Sequence, residues 1–406
     1  MTSPTPAGTR RPQALPGAGL RRSLMLLMAV ACGVVVANLY YIQPLLPDLA
    51  RDFGVAPGAV GSGVVVTQVG YAVGLVLLVP LGDLVAQRVL VVTMLAVGAV
   101  ALAATSLAGG PAALLACLVV VGLASTAINV LIQLAASLAR PQERGKAVGT
   151  LMTGLLLGVL LARTVSGAVG DAAGWRVVYA GAAVLLALLA AVMRLALPDL
   201  PARRGARYPE LLRSVVALVR SERFLRRRMA FGLLGFASFQ LLWTALPFLL
   251  SAEPYGYSAT GIGMFGLIGA AGVLCAQVAG RLLDRGLAHP VTGVLVLLLA
   301  VAWAANAAGA TLLVPLLVGI VLLDVGVQGV HVLNQTQIYA YPDAVRARVT
   351  TAYMTSYFLG GALGGGLAVL LVQHAGWTGV CVAGGVLALL AAALWATDRG
   401  IAPVRT

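Results

Sequence analysis

The chain nearly repeats itself after 202 residues, and that repeat restricts its architecture more than any other feature. Gln133 finds its counterpart in Gln335, Met152-Thr153 in Met354-Thr355, Gly158 in Gly360, and Gly174-Trp175 in Gly376-Trp377. Asp83 and Asp284, and Pro141 and Pro342, match with a one-residue slip. The duplicated unit is apolar, in a chain 60% hydrophobic and only 10% charged. Two copies of such a unit imply a carrier built from two related helical membrane bundles.

Soluble globular proteins carry roughly 25% charged residues, so this surface is too poor in charge for water. Apolar runs of ~20 residues, each long enough to cross a hydrocarbon core as a helix, recur along the chain. The pattern predicts twelve spans, at 24–46, 59–80, 89–107, 112–138, 147–169, 177–197, 229–250, 260–280, 291–308, 312–338, 350–372 and 377–396. The expected fold is therefore an all-α membrane protein of two homologous six-helix bundles. The 49 glycines suit close helix packing in lipid, where small residues let backbones approach.

The net charge of +14 could suggest nucleic acid, but its distribution argues for topology instead. With the N-terminus inside, 24 of the 27 Lys and Arg fall on one side, the exceptions being Arg51, Arg163 and Arg176. Nine Arg lie between Arg203 and Arg228 alone. This positive-inside bias places both termini in the cytoplasm of a prokaryote, with the chain threading the plasma (inner) membrane. Residues 1–23 then form a cytoplasmic tail, 24–197 the first bundle, 198–228 a basic linker, 229–396 the second bundle and 397–406 a second tail. Within the linker, Tyr208 to Val219 reads as an amphipathic stretch at the membrane face, or simply as a basic connection that holds topology. Apolar sequence continues past Cys32, which favours a retained first span over a cleaved signal. All four cysteines sit in apolar spans and form no metal-ligand cluster, so no metal or other cofactor is expected.

Several short motifs resemble the major facilitator superfamily, over the whole length of the chain. After its second span that family has G-x-x-x-D-R-x-G-R-R. Here the second copy is Gly280, Asp284 and Arg285, while the first keeps only Asp83 and Arg88. The resemblance implies a gating role, each Asp meeting the positive N-terminus of a helix in one conformation. In the fifth span, Gly149, Gly158, Ala162, Arg163, Ser166 and Gly167 stand in the register of G-x8-G-x3-G-P-x2-G-G, the motif of the drug:proton antiporter branch. Arg163 replaces the proline, and Leu118 stands where a buried Arg is expected in the fourth span. Leu160 to Gly167, with Asn38-Leu39-Tyr40-Tyr41-Ile42-Gln43-Pro44-Leu45-Leu46, looks like a largely uncharacterised subgroup of that branch. Small residues in the fifth span are expected to press on a neighbour from the other half.

Charges inside a bilayer cost roughly 2.5–3.5 kcal/mol each on insertion scales and usually mark a pathway or a partner. Three ionisable groups fall well within spans: Arg163, Asp324 and His331, with Asp324 the one acidic residue inside a predicted span. Asp324, Gln328, His331 and Gln335 follow at helical spacing on one face. Their counterparts 202 residues earlier are Gly122, Thr126, Asn129 and Gln133. Such a stripe either lines a central cavity or bonds helices together. Asn38 and Tyr41, with Gln240 and Trp243 at the same offset, extend the cavity set, as do Tyr353 and Tyr357. A carboxyl in low dielectric can be protonated from one side and released to the other, which makes Asp324 the expected proton carrier and His331 a relay. Asp324 could instead form a static pair with Arg163, or touch substrate directly.

The resemblance implies export of a small organic compound, a drug or metabolite, by proton antiport through alternating access. Proton symport and sugar or metabolite export remain alternatives, as does a non-transporting membrane sensor. The expected partners are substrate, protons and the bilayer, with no nucleic acid, and the protein is expected to be monomeric. No G-x-x-x-x-G-K-[ST] loop occurs, which disfavours a primary pump on this chain. Asp324 and His331 lie ~10 Å apart along a helix at ~1.5 Å per residue, too far for paired catalysis, so no enzyme is expected.

Overall fold

A computed structural model describes residues 21–198, 208–269 and 288–398. The described chain is helical, with elements α1 (Arg22–Ala37), α2 (Ile42–Phe53), α3 (Pro57–Leu77), α4 (Gln87–Ser106), α5 (Pro111–Ser125), α6 (Ala127–Leu138), α7 (Arg144–Ala173) and α8 (Trp175–Ala196). They continue as α9 (Tyr208–Ser221), α10 (Arg223–Ser251), α11 (Ala259–Met264), α12 (Ala288–Ala308), α13 (Leu313–Tyr339), α14 (Asp343–His374) and α15 (Gly376–Ala396). Eleven segments among the described residues are long and apolar enough to cross a membrane. The expected span at 260–280 is described only to Gly269, as α11 and a following 3-10 turn. Side chains such as Val100, Leu195 and Val314, each at least 70% exposed, point outward, as a lipid-facing surface requires.

Two expected spans are broken. The first runs from Arg22 to Phe53 but changes register between Asn38 and Tyr41. Pro44 is the cause: its ring excludes the carbonyl of residue 40 from the helical ladder. The displaced Tyr40 O accepts instead from Gln43 N at 3.2 Å, and the break tightens into short turns, with Leu39 N donating to Val36 O at 3.1 Å and Tyr40 N to Ala37 O at 2.9 Å. The fourth span breaks at Thr126, whose hydroxyl donates to Leu123 O at 2.7 Å. Ser125 does the same to Val121 O, so hydroxyls satisfy the carbonyls there. Neither α10 nor α13, the corresponding spans of the second half, is interrupted.

The repeated Gly-Trp pairs make equivalent turns. Gly174 and Gly376 have φ of 86° and 59°, a left-handed backbone that glycine adopts without steric cost. Each following Trp ties the turn to a neighbour. Trp175 Nε1 donates to Asp52 Oδ2 at 3.0 Å, and Trp377 Nε1 to Asn306 O at 2.8 Å.

Let the near end of the bundle be the one where α1 starts, and the far end the one carrying the Gly174 and Gly376 turns. The halves meet along α3 with α14 and along α7 with α11, and these contacts reach from the far end to the middle. Asp171, in the last turn of α7, accepts from Ala259 N at 3.1 Å and Thr260 N at 2.7 Å, the first amides of α11. A carboxylate there satisfies orphan donors and meets the positive end of the helix. Gln373, its counterpart on α14, lies over Gly58 at the start of α3. Because α7 runs to Ala173 and the first span to Phe53, Asp171, Asp48 and Asp52 also belong to helices of the spans. The expectation that Asp324 is the one acidic residue within them is corrected accordingly.

At the near end, α9 realises the amphipathic stretch, and Tyr208 OH donates to Leu77 O at 2.8 Å. The seventh span begins earlier than expected, at Arg223. Its Arg227 and Arg228 both pair with Asp398, just beyond α15.

The small residues of the fifth span divide their work. Gly154 and Gly158 bring α7 onto the backbone of Ala29 and Gly33 in α1, a neighbour in the same half. Gly167 brings it onto Ala259 and Gly263 of α11 in the other half, while Gly149 faces open space. The expectation of one partner from the other half therefore holds for Gly167 and not for Gly158. A side chain at 158 would collide with Gly33, so Gly158→Leu should cost about 1–3 kcal/mol or prevent folding. Denaturant unfolding of the purified protein in detergent measures this, and a variant as stable as wild type would contradict the packing.

Candidate functional site

At mid-depth, side chains from both halves converge on Arg163, which is 3% exposed. Its position on α7 places it beside the break in the first span on one side and α11 on the other. Arg163 Nε donates to Gln43 Oε1 at 2.5 Å, and Gln43 Nε2 donates to Gln240 Oε1 of α10 at 3.3 Å. The guanidinium carbon lies 4.0 Å from the ring centre of Trp243, 4.8 Å from Tyr40 and 5.6 Å from Phe239. Aromatic faces attract a cation, by about 0.5–1 kcal/mol each when exposed and more when desolvated.

Trp243 also carries the link to the carboxylate. Its Nε1 donates to Asp324 Oδ1 at 3.3 Å, and Asp324 is 3% exposed. Among the described residues no direct ion pair joins Arg163 to Asp324. The two charges do not touch: the indole stands between them, its face to the cation and its N–H to the anion.

The repeat shows how space for two charged side chains arises. Gly122 of α5 packs on Thr67, whereas at the matching pair Asp324 lies against Gly269, where a Cβ would stand 2.7 Å from Oδ2. Arg163 packs on Gly266, where a Cβ would stand 2.9 Å from its own Cβ. In the matching pair Gly365 faces Val64. At both places bulk has moved from one member of the contact to the other. Gly266 and Gly269, one helical turn apart, form the small-residue surface that admits Arg163 and Asp324.

On α13, the His331 ring lies nearer the near end. Gln335 Nε2 donates to His331 Nε2 at 3.1 Å, which leaves the proton on Nδ1 to face Tyr353 OH at 2.9 Å. Tyr357 packs against the imidazole with ring centres 4.4 Å apart. Gln328 is half-buried. The equivalent stripe of the first half is a helix seam. Thr126 lies against Gly74 of α3, and Asn129 Nδ2 donates to Tyr71 OH of α3 at 2.8 Å. Tyr71 in turn stacks on Phe358 of α14, ring centres 3.9 Å apart, across the halves. Gln133 is half-buried, and Asn38 and Tyr41 are buried, Asn38 Oδ1 having no hydrogen-bond partner.

The expected gating residues are described only in part. Asp83 ends a 3-10 turn (Val79–Asp83), and Arg88 Nη2 donates to Arg194 O at 2.5 Å. Gly280, Asp284 and Arg285 lie outside the described residues. Of the fifth-span set, Ala162 and Ser166 are buried, with Ser166 Oγ donating to Arg163 O at 3.3 Å. Sequence reasoning missed Gln43, Phe239, Gly266, Gly269 and Asp171. Gln43 sat unmarked inside a quoted motif, and an inverted large-small pairing across the repeat would have marked both glycines.

If Arg163 and Asp324 stabilise each other across Trp243, their effects on stability should not add. Arg163→Leu should destabilise strongly, and Asp324→Asn in the same chain should recover about 0.5–3 kcal/mol, measured as a double-mutant cycle by detergent unfolding. Strict additivity would show two independent charges.

Comparison with known proteins agrees with this architecture. The family model for the Major Facilitator Superfamily matches residues 28–340. The transporter YgaY of Escherichia coli O157:H7 is 45% identical over 381 residues, covering 94% of this chain and 96% of YgaY. The chloramphenicol resistance protein of Streptomyces lividans is 28% identical over 262 residues, covering 64% of this chain and 66% of that protein. The crystal structure of a bacterial homologue of the human lysosomal transporter Spinster, inward-facing and occupied, superposes with a TM-score of 0.75 at 15% identity, covering 93% and 97% of the two chains. With its duplicated helical bundle and its full-length relatives, this chain belongs to the major facilitator superfamily.

Proposed function

We propose that the protein is a proton-coupled secondary active transporter of a small organic compound, working by alternating access, with Asp324 as the proton site. One observation carries this reading: a buried carboxylate lies beside the seam between the halves with no direct ion pair among the described residues, so it can change charge as the halves move. Far-end contacts between the halves support an arrangement closed at that end. The near end, rich in Arg, faces the cytoplasm of a prokaryotic inner membrane with both termini, and the protein works as a monomer. Residues 24–197 and 229–396 act as the rocking units, with 198–228 as their linker. Asp83 and Asp284 steady one state. His331, packed on Tyr357, relays protons between Asp324 and the near end.

Two coupling modes have separate support. The likeness to a chloramphenicol resistance protein favours export by antiport, in which proton and substrate occupy the site in turn. The buried Arg163 Nη2 and Gln240 Nε2, which have no hydrogen-bond partner, favour symport of an acidic compound, with proton and substrate bound together.

Inside-out vesicles with a pre-set pH gradient test the shared core of both modes. A panel of drugs, sugars and metabolites should contain a compound that changes the gradient in wild type and not in Asp324→Asn, with membrane insertion equal. Normal coupling in Asp324→Asn would remove Asp324 from the mechanism.

A further inference from the structure

Arg163, Gln43 and Gln240 form a hydrogen-bond chain whose direction is settled by its first member. Gln43 Oε1 accepts from Arg163, so its amide nitrogen must donate, and Gln240 must offer its oxygen to it. Two buried donors are left over: Arg163 Nη2 and Gln240 Nε2 have no hydrogen-bond partner. Buried donors are rarely left unmade, because each loses its hydration without return, and a charged one loses more. Asp324 does not serve them: its Oδ1 accepts from Trp243, and neither donor reaches it. The residues around the guanidinium are the aromatic rings of Tyr40, Phe239 and Trp243.

We propose that the transported compound is a small aromatic carboxylate, its carboxylate held by Arg163 Nη2 and Gln240 Nε2 and its ring packed among Tyr40, Phe239 and Trp243. This rests on the reading that the Arg163–Asp324 region is the transport site. A cationic compound meets a buried guanidinium of the same sign, and a neutral one offers Arg163 Nη2 and Gln240 Nε2 no charged acceptor. An aromatic carboxylate supplies the missing acceptors and an apolar body together, in the geometry arginine favours.

The substrate's charge then selects the coupling mode. Ionisable groups facing Asp324 are Arg163 from α7, Tyr40 from the break in the first span and Tyr357 from α14, alongside Trp243 of α10 and Gly269. Arg163 is the single cation among them. A carboxylate bound to it withdraws that compensation from Asp324, so substrate and proton bind together, and each raises the other's affinity. Co-binding is the symport mode.

Purified protein in lipid nanodiscs, titrated with benzoate, phenylacetate and cinnamate beside the amide and the amine of each, tests the proposal without needing transport. At least one carboxylate should bind about tenfold or more tightly than its amide and amine, as a charge-assisted bond of about 1.5–3 kcal/mol requires. The preference should vanish in Arg163→Gln and shrink in Gln240→Leu, while Arg163→Lys keeps part of it. If Arg163→Gln does not fold, the Gln240→Leu and Arg163→Lys results decide. Binding in weak buffer should take up protons in wild type and none in Asp324→Asn. Amides bound as well as carboxylates, no binding by any carboxylate, or a preference intact in Gln240→Leu and Arg163→Gln would overturn the proposal. Absence of proton uptake would overturn co-binding. Should the preference fail while Asp324→Asn still abolishes vesicle coupling, the transport reading stands and the carboxylate assignment falls. A carboxylate preference with no vesicle coupling would keep the carboxylate site and overturn the transport reading.

Discussion

A bilayer offers a buried guanidinium no water, so Arg163 must find its stabilisation in protein, and where it finds it governs how the two halves meet. Insertion scales put the cost of such a charge near 2.5–3.5 kcal/mol, more than one cation–aromatic contact returns. The structure surrounds it on several sides: an amide from its own half, aromatic rings from both halves, and a counter-charge reached through Trp243. Three of those groups, Phe239, Trp243 and Asp324, belong to the second half. The cation of one half is thus held by the other, and a shift between halves changes the environment of both charges.

The rest of the packing serves that meeting. Gly154 and Gly158 seat α7 on α1, while Gly167 seats its far third on α11. On α11 and the following turn, Gly263 and Gly266 accept the backbone and side chain of Arg163, and Gly269 accepts Asp324. A Pro-induced break in the first span then turns Tyr40 and Gln43 towards the same centre. Gly266 and Gly269 remove bulk where the charged side chains enter, and tight turns satisfy backbone groups at the break in the first span.

Much of this was legible in the sequence because the bilayer writes strong signals. Long apolar runs and the 202-residue echo gave eleven of the twelve spans over the described residues, and rarity alone singled out Arg163 and Asp324. Helical spacing correctly put Asp324 and His331 on one helix, but periodicity cannot say what a face meets. Thr126 and Asn129 turned out to pack on α3, since a polar stripe looks the same whether it faces water or another helix. Gln43 was invisible as a partner because its bonds run to residues 120 and 197 positions away. Asp171 lies beyond the expected end of the fifth span at 169, whereas α7 runs to Ala173.

The far-end seams carry one more consequence. At equivalent places in the repeat, Asp171 grips two amides of α11, whereas neutral Gln373 only covers Gly58 of α3. Charge-assisted bonds are roughly twice as strong as neutral ones, so the two clasps are unequal. The far end of the α7–α11 flank, which carries Arg163, is therefore tied by a charged clasp, where the α3–α14 flank has a neutral side chain in its place.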